Sequence, residues 1–347
     1  MKQKKRVLPD LTAQPHDGLV RYAFSRRIHA RGLLKAILPA ALVSSITWST
    51  LKLEKDSFID PDLRKRFADL LFSMRVRGVE VRVYVLLEHQ RGVEVLMMLR
   101  VLGYITRIWE RLVRDDPSRR TIPAIVPVLL HNGRYGWTAE TSFDKIVDLP
   151  ERARDVLLPH TPCFGARLVD LGPEHATALE DAWLTAFGKL VLWALSVAGD
   201  NPRFLAEIDR MQGAIAEALA APDGYEALAA LLRYISTTHE RIGAHRFENA
   251  LTAAAGKNEA KTIMTILEEI EQRGERKGRA KTLVDQLVAR FGSVPATTRR
   301  RILAADEPTL ARWSIRVLSE TSIDAVIDGA TPKKAGTASK HVRASGA

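Results

Sequence analysis

Two carboxylates and an amide, Asp69, Glu88 and Gln90, stand on the polar phase of a stretch that reads as paired β-strands, and they have the chemistry of a divalent-cation site. Hard oxygen donors of this kind suit Mg²⁺, which keeps several of its own waters and can acidify one of them. The condition is that Asp69 and Glu88 reach the same cation, so the elements carrying them decide the matter.

Between Arg66 and Gln90 the side chains alternate. Ala68, Leu70, Phe72, Met74 and Val76 are interleaved with Asp69, Leu71, Ser73 and Arg75; Val81, Val83, Val85 and Leu87 are interleaved with Arg82, Tyr84, Leu86, Glu88 and Gln90. Period-two alternation on both arms of one stretch predicts a β-hairpin. Its register is open from sequence. A two-residue turn at Arg77-Gly78 sets Asp69 opposite Leu86, one diagonal from Glu88, whereas a four-residue loop from Arg77 to Glu80 sets Asp69 opposite Glu88. Either way the two carboxylates share a face with their Cβ atoms about 5 to 8 Å apart. A loop of odd length would place them on opposite faces. Arg75 and Arg82 share the phase of the acids and are candidates either for phosphate contacts beside the metal or for neutralising carboxylates.

The 347 residues suffice for one large or two ordinary domains. A formal charge of +11 favours a polyanionic partner such as nucleic acid, the alternative being that the excess arginine is solvated surface. The single cysteine, Cys163, excludes an intrachain disulfide framework and a cysteine-built zinc site, and reads as a small buried side chain. No apolar run has the length of a membrane span, and the basic start Met1-Lys-Gln-Lys-Lys-Arg6 is not followed by a signal-peptide core, so a cytoplasmic protein without membrane contact is expected. There is no Gly-rich phosphate loop, nucleophile elbow or histidine cluster at metal-ligand spacing, which speaks against nucleotide hydrolases and serine hydrolases.

Residues 1–14 read as a disordered basic arm. His16-Asp17 opens a helix in which Asp17 suits the first turn, and a second apolar helix runs from about Ala30 to Leu38. Asp60-Pro-Asp62 is an acidic turn ahead of the hairpin. Val93 to Val113 has the spacing of an amphipathic helix that covers a sheet. Thr121 to Leu130 reads as a third strand, and Pro123 and Pro127, neither of which can donate to a ladder, suggest a sheet edge or a short pairing segment. His131, within His-Asn-Gly, is a candidate phosphate contact or a turn residue, and with no acidic partner visible in the sequence the turn is the simpler reading. From Glu174 the chain is helical, with breaks at Gly199-Asp-Asn-Pro202 and Ala221-Pro-Asp-Gly224. The glycines of Gln272 to Arg279 mark a frayed or hinged helix, and a compact helical unit follows from Lys281 to Leu318. Residues 331–347 form a basic disordered tail.

The order Ser57-Phe-Ile-Asp-Pro-Asp-Leu63, Asp69-Leu-Leu-Phe, Tyr84-Val-Leu-Leu-Glu-His-Gln90, Ile125-Val-Pro-Val-Leu-Leu-His-Asn-Gly133 and Trp137 resembles the Rpn family of recombination-promoting nucleases, the YhgA-like transposases of the PD-(D/E)xK nuclease superfamily. The similarity begins at His16-Asp17 and is clearest up to Trp137. The resemblance implies an α/β fold: a PD-(D/E)xK-like mixed-sheet nuclease domain over residues 15–173, followed by a helical region over 174–330. It implies a Mg²⁺-dependent DNA endonuclease associated with recombination, with Asp69 and Glu88 as metal ligands and Gln90 as the third catalytic residue. Gln90 stands where the superfamily has lysine, which matches the family's Glu-x-Gln form but removes a positive charge, so slow or strongly metal-dependent cleavage is expected. Arg21 stands where the family's first helix carries lysine, and with Arg75 and Arg82 it completes the candidate DNA contacts. Asp17 and Asp60 could join the metal site, although a helix start is the simpler role for each. The helical region is a candidate for self-association. The alternative is a DNA-binding or assembly protein without catalysis, in which Asp69 and Glu88 form structural ion pairs.

Overall fold

Arg77 and Gly78 both take positive φ, 47° and 83°. That is the backbone of a two-residue hairpin turn whose twist matches the strands it joins, and it selects the first of the two registers open from sequence. The computed structural model describes residues 15–54, 69–88, 94–133, 136–172 and 183–329, without the side chains of 69, 85–88, 240 and 241. Asp60 and Gln90 lie outside the described residues.

The chain starts with three helices, α1 (Pro15–Phe24), α2 (Arg27–Ile37) and α3 (Ala40–Ser45), and continues into strand β1 (Ile46–Leu53). The hairpin follows as β2 (Asp69–Val76) and β3 (Val79–Glu88), then α4 (Met97–Asp115), β4 (Ala124–His131), α5 (Glu151–Leu157) and β5 (Arg167–Asp170). The five strands lie in the order of the sequence. β1, β2 and β3 are antiparallel, and β4 and β5 add in parallel to β3, with α4 as the crossover. The result is a mixed α/β sheet.

α4 explains one face of that sheet. Its stripe of Met97, Val101, Tyr104, Ile105, Ile108 and Leu112 is buried against Leu71, Tyr84 and Leu129, one from each central strand. Side chains of this size contribute roughly 1.5–3 kcal/mol each when buried. The opposite phase, including Leu70, Phe72, Met74, Val83, Val128 and Leu130, is buried as well, and α1 packs against β2.

Two expectations for this part of the chain are corrected, and β1 is a strand that the sequence reading did not identify. β4 is internal rather than an edge, since it pairs with β3 along its length and with β5 from Val128 onward. Pro127 falls just before that second pairing begins, so its missing N–H costs no bond to β5. Cys163 is exposed, not buried.

The rest is helical: α6 (Ala186–Ser196), α7 (Asn201–Glu207), α8 (Gln212–Leu219), α9 (Gly224–Ala255), α10 (Lys257–Phe291), α11 (Ala296–Ala304), α12 (Glu307–Ser319) and α13 (Ile323–Asp328). No strand occurs among the described residues beyond Asp170. The chain forms two compact units, Met1–Leu267 and Glu268–Ala347. In the first, α6 and α9 pack on α1, and Arg26 ties the start of α2 to α9 through Asp223 at 3.0 Å. In the second, Ala280, Leu283 and Leu287 of α10 pack with Ile302, Leu310, Trp313 and Val326. The stretch Gln272–Arg279 is unbroken helix rather than frayed. Two glycines cost about 1 kcal/mol each relative to alanine, which the surrounding glutamates, lysines and arginines, all good helix formers, can carry. Among the described residues no helix is long and apolar enough to cross a membrane.

Two buried histidines make the first unit sensitive to acid. His29 Nδ1 shares a hydrogen bond of 2.7 Å with the Thr185 hydroxyl, and His239 Nδ1–H donates one of 2.7 Å to the Asn201 amide oxygen. Burial lowers the pKa of both. Their folded pKa values therefore lie below the unfolded value of about 6.5, and as pH falls below that value the unfolded chain takes up protons that the folded chain refuses. Stability is expected to decline from about pH 6.5 downward, and His29→Gln with His239→Gln should flatten the decline. Urea midpoints measured between neutral and mildly acid pH test this; a wild-type profile as flat as the double variant's would contradict it.

Candidate functional site

The register of the hairpin places Asp69 opposite Leu86. Because side chains alternate along a strand, the Asp69 and Glu88 positions share one face, a diagonal apart. The same face continues into the parallel strands: Glu88 is partnered by His131 on β4, and His131 by Asp170 on β5. Four residues able to bind cations or move protons thus occupy one end of one face. That end is where β3, β4 and β5 finish, and the crevice beyond the strand ends is where open α/β sheets hold ligands.

His131 and Asp170 were not recognised in the sequence as members of this row. His131 is a buried strand residue, 1% exposed, and its ring meets that of Trp137 edge-on at 5.2 Å. The turn reading is therefore corrected: His131 is the last residue of β4. Asp170 accepts the backbone N–H of Trp137 at 2.8 Å and that of Gly172 at 2.9 Å. Its carboxylate clamps the segment after β4 to the end of β5, and Leu171 adds a backbone bond to the His131 carbonyl at 2.8 Å. Asp170 is thus a positioning residue that fixes Trp137, and through it one wall of the His131 ring.

The arginines fall elsewhere. Arg75 and Arg82 lie six residues along their strands from Asp69 and Glu88, about 20 Å away, so neither is beside the row. Arg75 is exposed near the hairpin turn. Arg82 is buried and paired with Glu80 at 2.7 Å and Glu54 at 3.9 Å, the carboxylate-neutralising alternative. Glu54 also accepts the Ser73 hydroxyl at 2.5 Å, so this second polar cluster holds β1, β2 and β3 together. Arg21 is half-buried on α1. Asp17 is 4% exposed at the start of the same helix, where His16 Nδ1 lies 2.6 Å from the Tyr234 hydroxyl of α9.

The donor set fits a hard divalent cation. The positions of Asp69 and Glu88 lie on adjacent strands one diagonal apart, and two carboxylate residues in that register are the donor chemistry that a hard divalent cation takes. No group of three or more metal-binding side chains occurs among the described residues, which do not include the side chains of these two.

Comparison with known proteins identifies the family of the chain. A family model described as "Putative transposase, YhgA-like" matches residues 14–189, which spans the sheet and both acid positions. The chain is 26% identical over 306 residues, 87% of its length and 98% of the relative's, to recombination-promoting nuclease RpnA of Escherichia coli strain K12. It is 28% identical over 262 residues, 75% of its length and 95% of the relative's, to recombination-promoting nuclease RpnD of Escherichia coli O157:H7. It is also 31% identical over 122 residues, 35% of its length and 40% of the relative's, to the inactive recombination-promoting nuclease-like protein RpnE of strain K12. No solved structure matches the chain.

Proposed function

The chain belongs to the YhgA-like transposase family, and on that premise we propose that it is a Mg²⁺-dependent endonuclease that hydrolyses phosphodiester bonds of DNA, built on a PD-(D/E)xK-like core. The observation that carries the reading is the two-residue turn, which gives Asp69 and Glu88 a common face at the end of the sheet. The relatives named as recombination-promoting nucleases, aligned over most of both chains, support it.

In this reading Asp69 and Glu88 would hold the cation by carboxylate oxygens. When bound, the ion acidifies a water and relieves charge on the phosphate. Gln90 orients the attacking water through its amide, which lacks the positive charge a lysine would bring to the transition state. Asp170 keeps Trp137 against His131, and His131 presents an imidazole next to Glu88 in the ladder. The basic excess of +11 draws the polyanionic substrate.

A second reading has a specific observation behind it: one similar relative is named inactive, so the fold also occurs without catalysis. In that case the chain binds DNA and cuts none. The test is nicking of supercoiled plasmid by the purified chain in Mg²⁺ or Mn²⁺ against EDTA. Cation-dependent nicking is expected; intact plasmid under every divalent cation, with DNA still bound, would select the second reading.

A further inference from the structure

From Gly18 to Leu53 the sequence contains six lysines and arginines and no aspartate or glutamate. Three of the six, Arg27, Arg31 and Lys35, recur at every fourth residue of α2 and so share one side of that helix. Arg27 and Arg31 are exposed, and Lys35 is half-buried.

The neighbouring edge strand is irregular where it meets them. Pairing of β1 with β2 lapses between Thr47 and Lys52. The lapse leaves backbone carbonyls without strand partners, and Arg27 donates to two of them, Trp48 at 3.0 Å and Ser49 at 2.5 Å. Trp48 is thereby held beside the same side of α2, its ring 5.9 Å from the Arg31 guanidinium and 5.6 Å from the Lys35 ammonium.

A second tryptophan arrives from another part of the chain. Gly32 lets the backbone before α6 approach α2 so closely that a Cβ there would lie 2.7 Å from the Trp183 carbonyl oxygen. The approach brings the Lys35 ammonium to 3.9 Å from the centre of the Trp183 ring. Trp183 nevertheless remains 55% exposed. An indole that only filled space would be buried.

We infer that this surface binds an unpaired stretch of DNA, with Arg31 and Lys35 meeting phosphates and Trp183 and Trp48 offering faces on which bases stack. The choice of DNA among polyanions rests on the nuclease reading above. Cations beside exposed aromatic rings are the combination that single-stranded nucleic acid selects, because each nucleotide supplies one negative charge and one flat base. Thr47 pairs with Arg75, six residues along β2 from Asp69, so the surface lies about 20 Å along the sheet from the acid row. It holds substrate away from the point of cleavage rather than at it.

The experiment measures binding of the full chain, in EDTA, to fluorescent oligothymidylate and to a blunt duplex of equal length. Trp183→Ala should weaken oligothymidylate binding about 5- to 100-fold and duplex binding far less, with Trp183→Phe retaining most of the affinity. Arg31→Ala with Lys35→Ala should weaken both and reduce the salt slope for the single strand by about 1.4. Folded variants that bind like wild type would overturn the inference, as would equal losses on both DNAs, preference for RNA, or equally tight binding to anionic phospholipid vesicles. Because EDTA removes divalent cations, the result is independent of catalysis. The expected binding pattern from a protein that never nicks would keep this surface and remove the nuclease reading; nicking with unchanged binding by the variants would do the reverse.

Discussion

Arg82→Ala is expected to destabilise the sheet by about 3 kcal/mol. The guanidinium is buried between Glu54 and Glu80, and its removal leaves Glu54, whose side chain is 7% exposed, with the Ser73 hydroxyl and a largely exposed Lys52 at 3.5 Å as its partners among the described residues. Breaking a buried pair by deleting one partner costs about 3–5 kcal/mol because the other charge stays desolvated. The remaining partners of Glu54 place the expected cost at the lower end. Replacing both sides, Arg82→Met with Glu54→Gln, should recover much of the loss, since neither charge is then stranded. Urea denaturation measures it. An Arg82→Ala protein with the wild-type midpoint but weakened DNA binding would return Arg82 to the surface role considered from sequence.

Asp69→Asn and Glu88→Gln should each lower cation-dependent nicking by about 100-fold or more, the scale of losing a ligand to an ion that carries most of the chemistry. Both substitutions preserve size and remove only charge. DNA binding in EDTA should persist or tighten slightly, since a negative charge next to phosphates is removed while the basic surface remains. Folded variants that nick at the wild-type rate would take both residues out of the mechanism. Loss of binding together with nicking would mean that the acids maintain structure rather than chemistry.

The hairpin was legible because alternation on both arms is a local pattern, and the amphipathic stripe of α4 was legible for the same reason. The choice between registers was not, because both loop lengths preserve the alternation, and arginine at positive φ is not the residue type that announces such a turn. β1 escaped because its pairing lapses over Trp48–Leu51, which interrupts the period-two pattern that would have marked it. His131 looked like a turn residue because Asn132-Gly133 follows it; the neighbours that make it part of a row, Glu88 and Asp170, are 43 and 39 residues away in sequence. β5 is four residues long, too short for periodicity to register. The glycines of α10 gave the right local penalty and the wrong outcome, because the flanking residues favour helix.

The central claim is that Asp69 and Glu88 act as a unit on one cation, and the most direct measurement is a double-substitution cycle on nicking. Rates are compared for wild type, Asp69→Asn, Glu88→Gln and the protein carrying both, at fixed Mg²⁺ and with folding checked for each. Residues that serve one ion lose their effect together, so the double variant should be about as slow as either single one. Losses that multiply would show two carboxylates working independently, and would contradict the shared site that the hairpin register supports.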